Sequence, residues 1–263
     1  MRIVIKYIYN IAIWSVFIVD AIILMIINLV VFAVTYPFDT KRKVIHACSY
    51  YWGLHYLWVN PFWKLDYVCR ANIDPKKSYV IVSNHQSMLD ICVIYKIPLV
   101  FKWVSKREVF RMPFVGWLLK LHGDILIQRG TSQSTREMLK KAEGWISKGC
   151  SISIFPEGTR SADGRIHDFK EGAFMIAKLN NLPILPVVIE GTRKILPPGS
   201  SLFGGCATAR IHVLPEVTAE TVASLKIRNL SDMLNSMMLE EHKRMAPEKY
   251  SGNDESGQSP EIS

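Results

Sequence analysis

The chain has 263 residues, 49% of them hydrophobic, and its 32 basic and 23 acidic side chains give it a formal net charge of +9. This length and composition exclude a disordered chain and a small disulfide-stapled scaffold, and they predict one sizeable globular domain with an appendage. A basic chain of this kind favours an anionic partner, which can be nucleic acid, an acidic membrane surface or a phosphorylated substrate.

The N-terminal segment predicts a membrane helix. Residues 8–34 form a run of 27 whose only polar members are Asn10, Ser15, Asp20 and Asn28. A helix needs ~20 mainly apolar residues to cross a bilayer, so this run is long enough. A cleaved signal peptide is the alternative, but its apolar core is shorter, and no small-x-small cleavage site follows here before Pro37.

A basic triplet at residues 41–43 separates this run from an aromatic stretch at residues 44–59. Tyrosine and tryptophan rings favour the headgroup zone of a bilayer, and Lys and Arg tend to stay on the cytoplasmic side. Because two full spans would place the triplet outside the cell, we expect one span or a helical hairpin in the cytoplasmic leaflet, with everything after Asn60 cytoplasmic. The alternative is that the aromatic stretch is a core helix of the globular domain.

The remaining chain predicts alternating strands and helices. Short β-rich runs recur at residues 79–83, 99–104, 124–128, 151–155, 184–189 and 208–213. One intervening helix opens with a capping box, Ser134 and Glu137, and ends at Gly149, and the last helix covers residues 225–245. This pattern predicts an α/β fold with a single mixed, largely buried sheet flanked by helices.

Three regions follow from these patterns. We expect an N-terminal membrane-anchoring helical segment at residues 1–60, a globular domain at 61–246 and a polar flexible tail at 247–263. Ligands of such sheets gather at the carboxyl ends of the strands, so the loops that follow the strands are where a site is expected.

The first loop with chemical potential contains His85 and Asp90. Five residues correspond to about 140° around a regular helix, so the two side chains meet only if His85 lies in the turn before a helix and Asp90 in its first turn. In that arrangement the carboxylate fixes the imidazole tautomer, and the other ring nitrogen takes a proton. The alternative for the histidine alone is a packed or solvent-facing side chain.

Two further loops carry basic groups. Residues 106–116 begin with Lys106 and lead to a strand that ends at Arg129; these cations suit a phosphate, a solvated face or membrane headgroups equally well. Residues 155–161 read Phe-Pro-Glu-Gly-Thr-Arg-Ser, in which Gly158 frees the backbone to approach a ligand and Arg160 offers a bidentate fork. A structural turn with a surface arginine is the alternative there. Residues 184–191 indicate mainly a buried strand.

Taken in this order, the four blocks resemble the glycerolipid acyltransferase family, and most closely its 1-acylglycerol-3-phosphate acyltransferases, which make phosphatidic acid. The resemblance covers residues 79–191 and rests on the HxxxxD element together with FPEGTRS. Val109 stands where the family often has Leu, an apolar exchange.

The resemblance implies roles for individual residues. His85 would be the general base and Asp90 its orienting partner. The acceptor site would be shaped by Glu157, Gly158, Thr159 and Arg160. Lys106 would grip the acceptor phosphate together with Arg160, and Arg129 is a weaker candidate for the same task.

The resemblance also implies an α/β fold, an acyl-CoA or acyl carrier protein donor, no cofactor and no metal. We expect the membrane phospholipid bilayer and lysophosphatidic acid as partners and no nucleic acid, with the catalytic domain on the cytoplasmic side of the membrane. The chain has no G-x-S-x-G elbow, HExxH, Walker loop or C-x-x-C pair, so direct transfer is the simplest mechanism. The alternatives are an acceptor such as another lyso-lipid or glycerol-3-phosphate, a non-catalytic lipid-binding protein, and a nucleic-acid-binding protein.

Overall fold

A computed structural model describes residues 2–58, 60–128 and 130–251 of the chain. Within them, seven strands form one sheet. The strands are β1 (Trp63–Cys69), β2 (Val80–Ser83), β3 (Phe101–Lys106), β4 (Ile125–Ile127), β5 (Ser151–Ile154), β6 (Ile184–Glu190) and β7 (Ala207–Val213). The helices are α1 (Arg2–Thr35), α2 (Lys43–Trp58), α3 (Asp90–Ile94), α4 (Arg107–Phe110), α5 (Val115–His122), α6 (Ser132–Ile146), α7 (Gly172–Leu179), α8 (Thr192–Ile195), α9 (Ala219–Ser224) and α10 (Ile227–Met245).

The sheet is mixed, as the sequence predicts. Its strand order is β1-β7-β6-β2-β5-β3-β4, and β6 and β7 pair antiparallel while the other neighbours pair parallel. The residues of β2, β5 and β6 are buried throughout, because helices cover both faces of a parallel sheet. The carboxyl ends of β2, β5 and β6 therefore meet at one edge.

Two apolar cores lie on the two faces of the sheet. On one face, α2 and α3 contribute Leu54 and Val93 to a cluster with Phe101 of β3. On the other face, Met138 of α6, Phe174 of α7 and Leu234 of α10 belong to a second, separate cluster. The fold class predicted from the sequence is confirmed.

The two N-terminal helices form an antiparallel hairpin. Asp20 of α1 pairs with His55 of α2 at 3.0 Å, and Tyr9 accepts a hydrogen bond from Asn60 at the far end of α2. Residues 7–35 of α1 are long and apolar enough to cross a membrane, with a mean hydropathy of 2.8 over a window that is 11% buried. This outward apolar surface indicates, by length and composition alone, an association with a membrane.

The aromatic stretch at residues 44–59 forms α2, which takes part in both the hairpin and the core. Its Ile45, Leu54 and Leu57 are buried, whereas Tyr51 and Trp58 are exposed. One side of α2 therefore packs into the core, as the core-helix alternative predicts. The helix also packs against α1, as the hairpin predicts. Val59 lies outside the described residues, and the domain boundary at residue 60 stays a prediction.

One local prediction is wrong, and one strand was not predicted. The cap of α6 is Thr131, whose hydroxyl accepts a hydrogen bond from the Ser134 N–H at 3.3 Å, so the capping box at Ser134 and Glu137 does not form. The Ser134 hydroxyl instead accepts from the Gln128 N–H at 2.7 Å. Strand β1 was missed, although its alternating exposed and less exposed positions follow the period of a strand.

The start of the predicted tail is packed against the domain. Residues Pro247–Lys249 form a short 3-10 helix, and Lys249 forms a salt bridge with the buried Glu190 at 2.5 Å. A buried carboxylate is costly unless it is paired, so the salt bridge with Glu190 stabilises the packing of this segment against the domain. Residues 252–263 of the predicted tail lie outside the described residues.

Candidate active site

His85 and Asp90 meet at the carboxyl end of β2. The strand ends at Ser83, His85 lies in the following loop, and Asp90 is the first residue of α3. Nδ1 of His85 lies 2.8 Å from Oδ2 of Asp90, which is the arrangement that a five-residue spacing requires. The imidazole is 16% exposed and the carboxylate is fully buried, so one edge of the ring remains open to a ligand.

The Asp90 carboxylate is held by hydrogen bonds to both oxygens. Oδ2 accepts from the N–H groups of Gln86 at 2.6 Å and Ser87 at 2.7 Å, in addition to the His85 contact. Oδ1 accepts from the hydroxyl of Thr192 at 2.5 Å. Because every one of these partners is fixed by backbone or by burial, the carboxylate has one orientation toward His85.

Thr192 is a site residue that the sequence analysis missed. It opens α8 directly after Gly191, whose φ of 88° turns the chain away from the end of β6. A left-handed φ favours glycine, so Gly191 supplied a signal for a turn at this edge of the sheet. The residue that follows such a turn lies beside the loop after β2, because β2 and β6 are paired neighbours.

The plane of the His85 ring is fixed by stacking. It lies on the ring of Phe155 with centroids 4.0 Å apart and an angle of 10° between the planes. Phe155 in turn stacks on Trp103, with centroids 5.2 Å apart. Phe155 is the first residue of the FPEGTRS loop, so this loop and the imidazole are in direct contact.

The FPEGTRS loop also binds the backbone of His85 on both sides. Oε1 of Glu157 accepts from the His85 N–H at 2.9 Å, and the Ser161 N–H donates to the His85 carbonyl at 2.7 Å. Between them Gly158 has a φ of 76°, and its N–H donates to the Phe155 carbonyl at 3.0 Å, which closes a tight turn. The structure therefore brings His85, Asp90 and Glu157 together.

Glu157 lies in a low-dielectric position. Burial raises the pKa of its carboxyl to about 8, and the negative charges of Asp90 and Asp163 act in the same direction against the hydrogen bond from the His85 N–H. At neutral pH the group is therefore mainly protonated. The Nδ1 atom of His85 contacts Asp90 and not Glu157, whose Oε1 binds the His85 backbone instead.

The other predicted site residues are placed differently. Thr159 is exposed and Arg160 half-buried in the same loop, and Arg160 forms no salt bridge with any side chain in the described ranges. Lys106 is exposed at the end of β3, on the same edge of the sheet, and its ammonium group likewise forms no salt bridge with the residues that the structure covers. Arg129 lies outside the described residues.

A buried charge cluster contacts the loop after β5 at Gly164, three residues beyond FPEGTRS. Glu190, at the end of β6, pairs with His242 at 2.8 Å and with Lys249. Burial acts to raise the pKa of Glu190, but the hydrogen bonds from His242 and Lys249 outweigh it and lower this pKa to about 2. Lys249 also donates to the Gly164 carbonyl at 3.2 Å, so the cluster connects β6, α10 and the loop.

Residues 64–190 match the family model described as Acyltransferase. The chain is 36% identical over 184 residues to a chloroplastic 1-acyl-sn-glycerol-3-phosphate acyltransferase of Brassica napus, with 69% of this chain and 53% of the relative covered. It is 32% identical over 170 residues to the 1-acyl-sn-glycerol-3-phosphate acyltransferase of Saccharomyces cerevisiae, with 63% and 55% covered. The chain spans about half the length of the curated relatives it matches.

A solved structure has the same fold. The crystal structure of the 1-acyl-sn-glycerophosphate acyltransferase PlsC from Thermotoga maritima aligns with a TM-score of 0.74 and 21% sequence identity. The alignment covers 97% of this chain and 100% of that chain, so it includes the N-terminal hairpin as well as the sheet.

Proposed function

We propose that the chain is an acyltransferase that transfers a fatty acyl group from an acyl thioester to the sn-2 hydroxyl of 1-acylglycerol-3-phosphate, forming phosphatidic acid. The match of residues 64–190 to the Acyltransferase family model supports this class of enzyme. The names of the curated relatives support this acceptor. The observation that carries the proposal is the contact of His85 Nδ1 with the buried Asp90 carboxylate, which prepares the other ring nitrogen to act as a base.

His85 acts as the general base. Asp90 accepts a hydrogen bond from Nδ1–H and so selects the tautomer in which Nε2 carries the lone pair. A glycerol hydroxyl is a poor nucleophile at neutral pH, and removal of its proton as it attacks contributes typically about 10²- to 10⁴-fold in rate. The stack on Phe155 holds the ring so that Nε2 points to one place.

The proposed reaction balances without a second acid. The acceptor oxygen forms a bond to the thioester carbonyl carbon while Nε2 of His85 takes the hydroxyl proton. The carbon–sulfur bond then breaks, and the imidazolium returns its proton to the leaving thiolate. The products are the ester and a free thiol, and His85 is again neutral.

The basic residues recognise the acceptor phosphate in this proposal. Arg160 offers a planar fork with no salt-bridge partner among the described residues, which suits a bidentate contact with phosphate. Lys106, at the end of β3, supplies a second cation for the phosphate. Arg129 is a weaker candidate for the same contact. Glu157, Gly158 and Thr159 shape the backbone turn against which the glycerol lies.

The donor, location and partners belong to the same proposal. The donor is acyl-CoA or acyl carrier protein, and the reaction uses no cofactor and no metal. The apolar face of α1 holds the protein in the phospholipid bilayer, and the catalytic domain faces the cytoplasm. The lipid acceptor then reaches His85 from the membrane, and nucleic acid has no part.

An acceptor panel tests this function. Full-length protein in detergent is given an acyl thioester with 1-acylglycerol-3-phosphate, with the same lipid lacking its phosphate, or with glycerol-3-phosphate, and thiol release is followed. We expect turnover with the first acceptor and little with the others. Absence of thiol release with all three acceptors would overturn the proposal. Faster thiol release with glycerol-3-phosphate or with the unphosphorylated lipid would identify that compound as the acceptor instead.

A further inference from the structure

A basic pocket lies at the edge of the sheet opposite to His85. Its volume is about 550 Å³, and its lining includes Val100 and Ser151, which precede or begin β3 and β5 at their amino ends. His85 follows β2 at the carboxyl end, and β2, β5 and β3 run parallel. The pocket is therefore separate from the candidate active site.

The pocket is lined by cations and by no carboxylate. Its lining includes Lys41, Lys43, Lys76 and Lys77, together with Tyr50, Tyr51 and His46, and it contains no Asp or Glu. These four lysines form no salt bridge within the part of the chain that the structure describes. Four ammonium groups around one cavity repel each other, and an anion bound among them removes that repulsion.

Two nearby carboxylates, Asp39 and Asp74, are bound to the backbone. Both oxygens of Asp39 accept hydrogen bonds at 2.8 Å, one from the Lys43 N–H and one from the Val44 N–H. Asp74 accepts from the Lys76 N–H at 2.9 Å. These contacts order the backbone of the two segments that carry the lysines, and both segments line the same cavity.

The position of the pocket identifies the source of the anion. Lys41 lies in the turn that joins α1 to α2 and Lys43 is the first residue of α2, close after the exposed apolar length of α1. Exposed rings surround this turn: Phe38 is 86% exposed and Tyr51 is 66% exposed. Aromatic rings next to lysines are typical of the headgroup level of a bilayer, where the available phosphates belong to lipids.

We propose that this pocket, formed by Lys41, Lys43, Lys76 and Lys77, binds the phosphate of an anionic membrane phospholipid. The lipid bridges the α1–α2 turn to the loop before β2 and so fixes how the domain sits on the bilayer. Free phosphate offers the same chemistry but lacks the acyl chains that hold a lipid at this depth. The proposal does not depend on the acyltransferase activity.

Lysine labelling tests the pocket in the full-length protein. The chain is reconstituted in vesicles of phosphatidylcholine alone, of phosphatidylcholine with phosphatidylglycerol, or of phosphatidylcholine with inorganic phosphate outside. Acetylation by a soluble reagent is read at each lysine by mass spectrometry, with the exposed Lys226 as the reference. We expect phosphatidylglycerol to lower labelling of Lys76 and Lys77 at least about fivefold, as for a mostly occupied site, and inorganic phosphate to leave it unchanged.

Two matched variants separate a shared pocket from general proximity to the membrane. The variant K41Q/K43Q removes half of the cluster, and we expect it to abolish the protection of Lys76 and Lys77. The variant K140Q/K141Q makes the same change of charge on exposed positions of α6 and should keep the protection. Protection that survives K41Q/K43Q, equal protection by inorganic phosphate, or no protection by phosphatidylglycerol would overturn the proposal.

Discussion

Thr192 donates a hydrogen bond from its hydroxyl to Oδ1 of Asp90 at 2.5 Å, across 102 positions of the chain. The same carboxylate contacts His85 through Oδ2. The residue that orients the imidazole is thus itself oriented by the first residue of α8, the helix that follows β6. Thr192 is a positioning residue in this account, because it acts through Asp90 and touches no reacting atom.

Replacing Thr192 with valine keeps the shape and removes the hydroxyl. A hydrogen bond to a charged group contributes about 1.5 to 3 kcal/mol, and we expect kcat to fall about tenfold while the KM of the acceptor stays constant. Thr192→Ser, which retains the hydroxyl, should recover most of the rate. The kcat values are measured by thiol release. Equal values for the valine variant and the wild type would show that Asp90 is oriented without the Thr192 hydroxyl.

Arg160→Ala should act on the phosphorylated acceptor. Loss of a charge-assisted contact should raise the acceptor KM about tenfold or more and leave the donor KM unchanged. Arg160→Lys keeps the charge but not the fork, so we expect an intermediate KM. Both substrate dependences are measured separately by initial rates. A rise confined to the donor KM would place Arg160 on the other substrate.

The raised pKa of Glu157 predicts a pH-dependent stability. Burial raises this pKa from an ordinary value of 4.5 to about 8, so between these values the folded chain holds a proton that the unfolded chain has released. Stability from this group is therefore present below about pH 4.5 and is lost as pH rises toward 8. Melting temperatures of the wild type and Glu157→Gln are measured at pH 5.5, 7 and 8.5.

The neutral amide of Glu157→Gln does not titrate, so the variant should lack the loss of stability that Glu157 causes between pH 5.5 and 8.5. We expect the melting temperature of Glu157→Gln, relative to the wild type, to rise with each step in pH. A constant difference between the two proteins would mean that Glu157 titrates near its ordinary pKa in the folded chain.

The salt bridge of Glu190 with Lys249 should stabilise both the fold and the loop after β5. Lys249→Met leaves the Glu190 carboxylate buried beside the His242 ring and without its lysine, and breaking a buried pair costs about 3 kcal/mol or more. The lost contact with Gly164 should also raise the acceptor KM.

The double variant supplies the control for this pair. Glu190→Gln with Lys249→Met removes the stranded charge, so we expect it to unfold at a higher denaturant concentration than Lys249→Met alone. Strictly additive losses in the two single variants and the double variant would contradict a coupled pair.

The sequence analysis predicted features that depend on nearby residues. The five-residue spacing gave the condition under which His85 and Asp90 can meet, with His85 before a helix and Asp90 in its first turn, and α3 has this arrangement. The alternation of strands and helices predicted the mixed sheet. It could not predict Thr192 at Asp90, because pairing of β6 with β2 brings these distant residues together. The cap of α6 shows the same limit, since the Ser134 hydroxyl is used by Gln128.

The roles of the basic residues remain predictions. Lys106 ends β3 and Arg160 follows β5, at the same edge of the sheet as His85. Neither side chain forms a salt bridge within the described residues from which a role could be inferred. Glu190 differs: the sequence indicated only a buried strand, and its function in holding Lys249 depends on a segment 59 positions away.

The most direct test of the account compares thiol release by the wild type and by His85→Gln, with 1-acylglycerol-3-phosphate as acceptor and melting temperature as the control for folding. Glutamine keeps a polar side chain but cannot take the hydroxyl proton. The account predicts a rate at least about a hundredfold lower for the variant with a similar melting temperature. Equal rates in the two proteins would contradict the assignment of His85 as the base.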